Sequence, residues 1–494
     1  MKQNILISFS LLILLGFFTL SVHAQRMLTL NETIEIAKRQ SPDALSAQHR
    51  FRSSYWQFRN YKASFKPMLT LDATLPSLSR SIEKITTPEG DFFYERNLAN
   101  YSAGLSLSKN IGFTGGQIFF NSDLQRVDLF GDSTITSYMS APLNIGINQP
   151  LFNYNPFKWA KKIEPMRYNE AERRYMEDVE QVNITASNLF FSLLDAQIRL
   201  KIQQINLLNN DTLYQIARGR FNIGTIAENE LLQIELSLLN AQSAVENALL
   251  DVQVKAFNLK SYLRLPDAED IRLITPPVPE APVIDAQLAV TEARDNRADA
   301  LAFDRRMLVA ESRVNQAKTE NRFNANLYAM YGLTQSARDL EAVYRNPQEQ
   351  QRVILGLRIP ILDWGLTRGK IKLAESDMEM ERTAVQQQMI DFDQEVFLKV
   401  MQFNMLRNQL VIAAKSDTVA VKRYEVTKQR YLIGKIGIID LNLAQSEKDN
   451  AQQGYIQALS TYWRSFFELR KLTLYDFVAN DRMHFRFSDI PDVE

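Results

Sequence analysis

The feature that most constrains this chain is a stretch of 68 residues, from Leu366 to Ile433, with one glycine and no proline. Apolar side chains recur in it at steps of three and four, which is the period of a helix. They are Met389, Phe392, Val396, Val400, Phe403, Leu406 and Leu410. At about 1.5 Å per residue, one helix of this length is on the order of 100 Å long. Such a helix is several times longer than the usual helix of a globular protein.

The chain also repeats itself. The segment LNIGINQPLF at 143–152 precedes VILGLRIPIL at 353–362 by 210 positions, and RFNIGTI at 220–226 precedes RYLIGKI at 430–436 by the same offset. Earlier segments match at an offset of 256, for example DAL at 43–45 and 299–301. The first half therefore has about 46 additional residues somewhere between 75 and 141. They predict either a larger loop or an additional hairpin.

A second helix is predicted after each glycine-containing turn. In the first half its apolar positions alternate steps of three and four, which is typical of a left-handed coiled coil. These positions are Leu231, Ile234, Leu238, Ala241, Val245, Ala248 and Val252. In the second half Lys448 interrupts the corresponding series, which consists of Leu441, Ala444, Ala451 and Tyr455.

Strands are predicted before each long helix, because apolar and polar residues alternate in MLTLDATL at 68–75 and YSAGLSLS at 101–108. Period alone favours a soluble antiparallel sheet with one dry face. The polar faces, however, consist mainly of Ser, Thr, Asn and Gly, and thirteen aromatic residues fall between Phe92 and Trp159. Both features are typical of a membrane β-barrel. Four to six strands per chain are too few to close one, so several chains would share a barrel.

The N-terminus reads as a secretory signal: Lys2, an apolar run from Ile5 to Leu20, and the A-x-A-like site Val22-His23-Ala24. The alternative is an uncleaved membrane anchor, for which the run is short. Lys and Arg together number 57, as do Asp and Glu, so the charge balance predicts no nucleic-acid partner. With no cysteine, neither a disulfide nor a lipidated thiol is available.

An enzymatic role is disfavoured by the residue inventory. Past the predicted cleavage site the histidines are His49 and His484, and no cysteine accompanies them. A histidine-based triad or zinc site is therefore not expected, and no cofactor or metal is predicted. Three hypotheses remain at this point: an export channel, a soluble periplasmic coiled-coil scaffold protein, and an unrecognised hydrolase.

The predicted organisation is a tandem repeat between a signal peptide at 1–24 and a tail at 481–494. The first repeat, 25–275, has a helix, strands at about 67–150, a long helix at 157–223, a tip turn and a helix at 227–264. The linker at 276–282 is rich in proline, which excludes a helix. The second repeat, 283–480, has a helix, strands at about 322–360, a long helix at 366–433, a tip turn and a helix at 437–478.

Taken in order, these segments resemble the TolC family of outer-membrane factors. The resemblance rests on the signal peptide, the opening LTLNETIEIAKRQSPD at 28–43, the tandem halves, the proline in NQPLF and RIPIL, and the two R-aromatic-x-I-G turns. It implies a fold that is mainly α with a β-barrel part: a homotrimer whose long coiled-coil helices form a periplasmic tunnel below a shared transmembrane β-barrel. Four strands per chain are expected, giving twelve, and up to six are possible.

The resemblance also implies a function and partners. Such proteins are passive exit ducts in tripartite efflux or type I secretion systems, embedded in outer-membrane lipid. They work with a periplasmic adaptor (membrane fusion) protein and an inner-membrane transporter of RND, ABC or MFS type. By resemblance, the adaptor-docking tips are Asn222, Ile223, Gly224 and Thr225 in one half and Leu432, Ile433, Gly434 and Lys435 in the other. The candidate carboxylates for a periplasmic gate are Asp417 and Glu425, either of which is also read as an ordinary solvated charge.

Overall fold

The computed structural model describes residues 26–88, 90–266, 270–277 and 283–485. The predicted signal peptide, most of the predicted linker and most of the predicted tail lie outside these ranges. The described chain forms two compact units, each of which draws on both sequence repeats. Of the described residues, unit 1 contains those within 26–50, 173–297 and 392–485, and unit 2 contains those within 51–172 and 298–391.

The helices repeat at the two offsets found in the sequence. In the first repeat they are α1 Leu30–Gln40, α2 Pro42–Ala63, α3 Pro156–Asn222 and α4 Glu228–Leu263. In the second they are α5 Ala286–Asn296, α6 Ala298–Glu320, α7 Leu366–Leu432 and α8 Ile438–Thr473. The helices α3 and α7 each have 67 residues, and α4 and α8 each have 36. No helix in the described ranges is both long and apolar enough to cross a membrane.

The predicted end of the last helix is wrong. It was expected at 478, but α8 ends at Thr473, and Leu474 takes a left-handed conformation with φ 47° while its N–H donates to Arg470 O at 2.7 Å. The next residues then form the short strand β9, Tyr475–Asp476, which pairs antiparallel with β10, Asp481–Arg482. This small ladder satisfies backbone groups that a longer helix would have bonded internally.

Unit 1 is built around one apolar cluster. Strand β1, Arg26–Leu28, pairs in parallel with β6, Ile271–Leu273, beside α1 and α5. The cluster takes buried side chains from both repeats, including Phe190, Leu259, Phe403 and Tyr462. Each short helix that covers it begins with a side-chain cap: Thr29 Oγ1 accepts from Glu32 N at 3.2 Å, and Asp285 Oδ1 accepts from Gln287 N at 3.0 Å. Such caps satisfy amides that a helix leaves unpaired at its start.

Unit 2 contains a six-stranded antiparallel sheet in the order β2-β3-β4-β5-β7-β8. Its strands are β2 Met68–Thr87, β3 Gly90–Asn110, β4 Gln117–Phe130, β5 Ile135–Leu151, β7 Asn324–Ala337 and β8 Gln348–Arg358. The first repeat thus has four strands and the second has two. The additional 46 or so residues form an additional hairpin, and the sheet has six strands, the upper end of the predicted range of four to six.

One face of this sheet is apolar and exposed. The ladder places Leu107 opposite Leu69 and Phe120, and it places Ile145 opposite Phe120 and Tyr331. Because strand side chains alternate between faces, this row and the rows two residues away share one side. Those further rows include Leu71, Leu105, Ile118, Leu143, Val353, Leu355 and Leu357, all of them exposed in the isolated chain. The opposite side is more polar, and there Ser106 Oγ donates to Asn121 Oδ1 at 2.7 Å.

Candidate functional site at the helix tips

The long helices α3 and α7 end in the same turn. Thr225 N donates to Arg220 O and Gly224 N to Phe221 O, both at 2.9 Å. At the other tip Lys435 N donates to Arg430 O and Gly434 N to Tyr431 O, also at 2.9 Å. This pair of bonds is the Schellman arrangement, which satisfies carbonyl groups that a helix leaves unpaired at its end.

Glycine is required at both turns because the backbone is left-handed there. Gly224 has φ 72° and Gly434 has φ 71°, a region that other residues enter only at a cost. No atom lies within 4 Å of the position that a Cβ would occupy on either glycine. All eight residues predicted to dock an adaptor are exposed; Ile223 is 74% exposed and Ile433 is 66% exposed. The two tips thus present uncovered backbone and apolar side chains.

Beneath the tips, side chains from both hairpins form a second apolar cluster. It contains Leu213, Ala217, Ile234, Tyr424, Tyr431, Ile438, Leu441 and Ala444. Arg220 joins the two tips: its Cζ lies 5.8 Å from the centre of the Tyr431 ring, and its Nη2 donates to Leu432 O at 3.4 Å. Burial raises the pKa of Tyr431, the Arg220 charge lowers it, and the Glu230 carboxylate raises it. The tips of the two repeats are therefore held together within one chain.

The sequence reading missed Arg220, although the shared R-aromatic-x-I-G pattern contains it. The pattern predicts the role of the glycine, because glycine is common at helix ends. The contacts of the arginine depend on which hairpin packs beside it, and the pattern does not indicate that. Arg220 belongs to the first repeat and its partners Tyr431 and Leu432 belong to the second.

Lys448, which interrupts the predicted apolar seam, has partners in the structure. Its Nζ lies 3.1 Å from Asp449 Oδ1 and 4.6 Å from the centre of the Tyr424 ring. Asp449 in turn accepts a hydrogen bond from Asn206 Nδ2 at 2.6 Å, which links α8 to α3. A partly buried ammonium group is tolerated when a carboxylate and an aromatic face lie beside it. The interruption is thus a polar cross-link between helices.

The two gate candidates occupy different faces of α7. Asp417 stands seven residues from the buried Leu410 and seven from the buried Tyr424, so it lies on the packed face of the helix. Its Oδ1 is buried and has no hydrogen-bond partner among the described residues, and burial raises its pKa. The first repeat has Leu207 at the equivalent position. Glu425, in contrast, is exposed.

The family described as outer membrane efflux protein matches residues 116–263 and 289–473. No curated protein sequence matches the chain. Among solved structures, the chain is similar to the CmeC outer membrane channel of Campylobacter jejuni, with TM-score 0.66 and 18% identity over 93% of this chain and 87% of that one.

Two further channels have a similar fold. The outer membrane protein VceC of Vibrio cholerae matches with TM-score 0.63 and 14% identity, over 92% of this chain and 97% of that one. The open state of the MtrE outer membrane channel of Neisseria gonorrhoeae matches with TM-score 0.62 and 14% identity, over 90% of this chain and 88% of that one. At such identities the likeness shows the fold alone.

The buried carboxylate of Asp417 generates a prediction about stability. Because its folded-state pKa is raised above the ordinary 3.8, the ionised form destabilises the fold. That penalty is absent below the ordinary pKa, grows as the pH rises to the raised value, and persists above it. We expect Asp417→Asn to increase the free energy of unfolding by roughly 1–3 kcal/mol at pH 7 and by less near pH 4.

Thermal unfolding followed by helical circular dichroism at the two pH values measures this effect. Glu425→Gln is the matched control, since it removes an exposed carboxylate eight residues along the same helix and should leave the melting temperature unchanged. Two results would contradict a destabilising buried carboxylate at Asp417. One is an Asp417→Asn variant with the melting temperature of the wild type at pH 7, and the other is a stabilisation as large at pH 4 as at pH 7.

Proposed function

The chain belongs to the outer membrane efflux protein family, and from that membership we propose that it is the outer-membrane channel component of a tripartite efflux or type I secretion system. Substrates delivered by an inner-membrane transporter and a periplasmic adaptor would leave passively through it. The observation that carries the proposal is the exposed apolar face, which extends over all six strands of the sheet. A soluble scaffold would bury such a face against a core.

A homotrimer is supported by two apolar stripes on unit 1. On α7, five exposed apolar residues stand seven apart, which places them in one line: Leu398, Met405, Ile412, Val419 and Val426. On α4, the exposed apolar residues include Leu232, Leu236, Leu239, Leu250 and Phe257. In a closed ring, each copy can place the α7 stripe of one chain against the α4 stripe of the next. The resemblance to TolC-type channels sets the number of copies at three.

Adaptor docking is proposed at the two tips. The backbone around Gly224 and Gly434 is uncovered, and the neighbouring Ile223 and Ile433 expose apolar surface beside it. A trimer would present six tips of two kinds, because Thr225 in one repeat corresponds to Lys435 in the other. In this arrangement Glu425 is the candidate pore-facing carboxylate, whereas the unpaired carboxylate of Asp417 weakens helix packing near the end that must open.

Fractionation of cells that express the full chain tests the proposed location. We expect the mature protein in the outer-membrane fraction, with its N-terminus near Gln25 after removal of the signal peptide. Alkaline carbonate washing should leave it there, because a membrane-embedded protein resists extraction that removes peripheral proteins. Recovery of the chain in a soluble periplasmic extract would refute the channel assignment.

The α7 stripe generates a prediction about assembly. Replacing Ile412 and Val419 together by Asp would bury two carboxylates in each interface, at a cost of roughly several kcal/mol. We expect the purified variant to elute as a helical monomer where the wild type elutes as a trimer. The control carries Asp at Thr418 and Gln429, which are exposed polar residues on another side of α7. A trimeric double variant would show that the stripe is not the interface.

The tips generate a prediction about docking. Asn tolerates the left-handed conformation, so replacing Gly224 and Gly434 by Asn keeps the turns but adds a side chain where the backbone is uncovered. We expect an unchanged trimer and at least a tenfold loss of crosslinking to the adaptor in intact cells. Gly454→Asn, at an open glycine within α8, is the matched control. Unchanged crosslinking in the double variant would place the docking surface elsewhere.

A further inference from the structure

The six-stranded sheet has two unpaired edges. Within the described ranges β2 pairs with β3 alone, and β8 pairs with β7 alone. Along β8 every residue except Gln350 is exposed, and along β2 nearly every residue is. In lipid, the backbone groups of an open edge have no water to bond and must find partners in another strand.

We propose that three copies of this chain contribute all six strands each to one barrel of eighteen, in which β8 of one copy pairs with β2 of the next. The inference rests on the proposed function, because it takes the trimeric membrane channel as given. It differs from the twelve-stranded barrel that the TolC resemblance implies. Each open edge thus pairs with the edge strand of a second copy of the same chain.

Strand direction permits this closure. Each neighbouring pair in the sheet is antiparallel, so with six strands the first and the last run in opposite directions. Strand β2 leads away from α2 and β8 leads back toward α7. An antiparallel pairing between β8 and β2 of adjacent copies therefore continues the ladder, and it keeps the strand number even, as in bacterial outer-membrane barrels.

The position of the turn between β3 and β4 shows that the additional strands, β2 and β3, extend to the same end of the sheet as the others. This turn lies at the end of the sheet where the helices begin: Asn110 Nδ2 donates to Ser64 O at 2.9 Å, just after α2. Asn155, just before α3, donates from Nδ2 to Phe113 O at 3.0 Å. The four strands of the first repeat therefore start and end at the same level as α2 and α3.

The apolar face includes the additional strands. Leu69 and Leu71 on β2 and Leu105 and Leu107 on β3 are exposed on the same side as Phe120 on β4. A hairpin folded into a water-filled lumen or standing in solvent would not need this face. Farther along, the same two strands carry exposed ion pairs between Arg96 and Glu83 and between Lys84 and Asp91.

The length of the apolar band agrees with a bilayer. From Met68 to Arg80, whose side chain forms an ion pair with Glu95 on β3, the chain has about a dozen residues. A tilted strand needs about 9–11 residues to cross the hydrocarbon core. The outer part of the β2–β3 hairpin would then extend beyond the membrane on the side away from the helices.

The family match is consistent with an additional hairpin. Its two matched blocks begin at 116 and 289 and together contain β4, β5, β7 and β8. The strands β2 and β3 precede the first block. Because barrel diameter grows roughly linearly with strand number, eighteen strands give a barrel about one and a half times as wide as twelve. A barrel of this size leaves an aqueous channel.

Cysteine crosslinking tests the strand order in the assembled protein, since the natural chain has no cysteine. Leu355→Cys on β8 is combined with Leu69→Cys or Leu71→Cys on β2, all on the exposed face. The matched set combines Leu355→Cys with Ile118→Cys or Phe120→Cys on β4, which would be the neighbour of β8 if only four strands closed the barrel. Outer-membrane preparations are treated with a short bismaleimide and run on denaturing gels.

We expect covalent dimers and trimers, and nothing larger, from the β8–β2 set and less than a tenth of that yield from the β8–β4 set. Crosslinking from the β8–β4 set would overturn the eighteen-stranded barrel and leave the shared membrane channel standing. Absence of intermolecular products from both sets would also overturn it, and fractionation of the same cells then shows whether the membrane location fails with it.

Discussion

The unpaired backbone of two edge strands is the constraint on which the rest of this structure depends. A sheet with an exposed apolar face is stable only where that face meets lipid or a partner, and a sheet in lipid cannot leave an edge open. Six strands are too few to close on themselves. The proposed membrane channel would therefore need several copies of the chain, and unit 1 offers surfaces for them, since α4 and α7 each expose an apolar stripe.

The tandem repeat would let one chain supply both sides of the proposed interfaces. Each repeat contributes one long helix, one glycine turn and one returning helix of the same lengths, so the chain carries two pseudo-equivalent hairpins. The two hairpins differ, however, in the charges they carry. Asp417 replaces Leu207, and Lys435 replaces Thr225. Arg220 connects the tips of the two repeats through Tyr431 and Leu432. The repeats are thus alike in their backbone and distinct in their charge.

The helical part could be predicted closely because its information is local. Gly224 and Gly434 predict the two turns, and the absence of proline between 366 and 433 predicts one continuous helix there, α7. The end of α8 was predicted wrongly because Leu474 takes a left-handed conformation, which a leucine in the sequence does not indicate. The strand count was left open because alternation identifies strands but not their partners. Similarly, the sequence predicts a break in the apolar seam at Lys448, because the Tyr424 ring beside Lys448 and the bond from Asn206 to Asp449 form only in the folded chain.

The central claim is that the assembled chain is a pore, and single-channel recording in a planar lipid bilayer tests it most directly. Purified oligomer added to one side should insert in discrete steps of uniform conductance, because each inserted trimer would contribute one continuous aqueous path. Insertion without any conductance step above that of the bare bilayer, from protein shown to be trimeric and embedded in the membrane, would contradict the account.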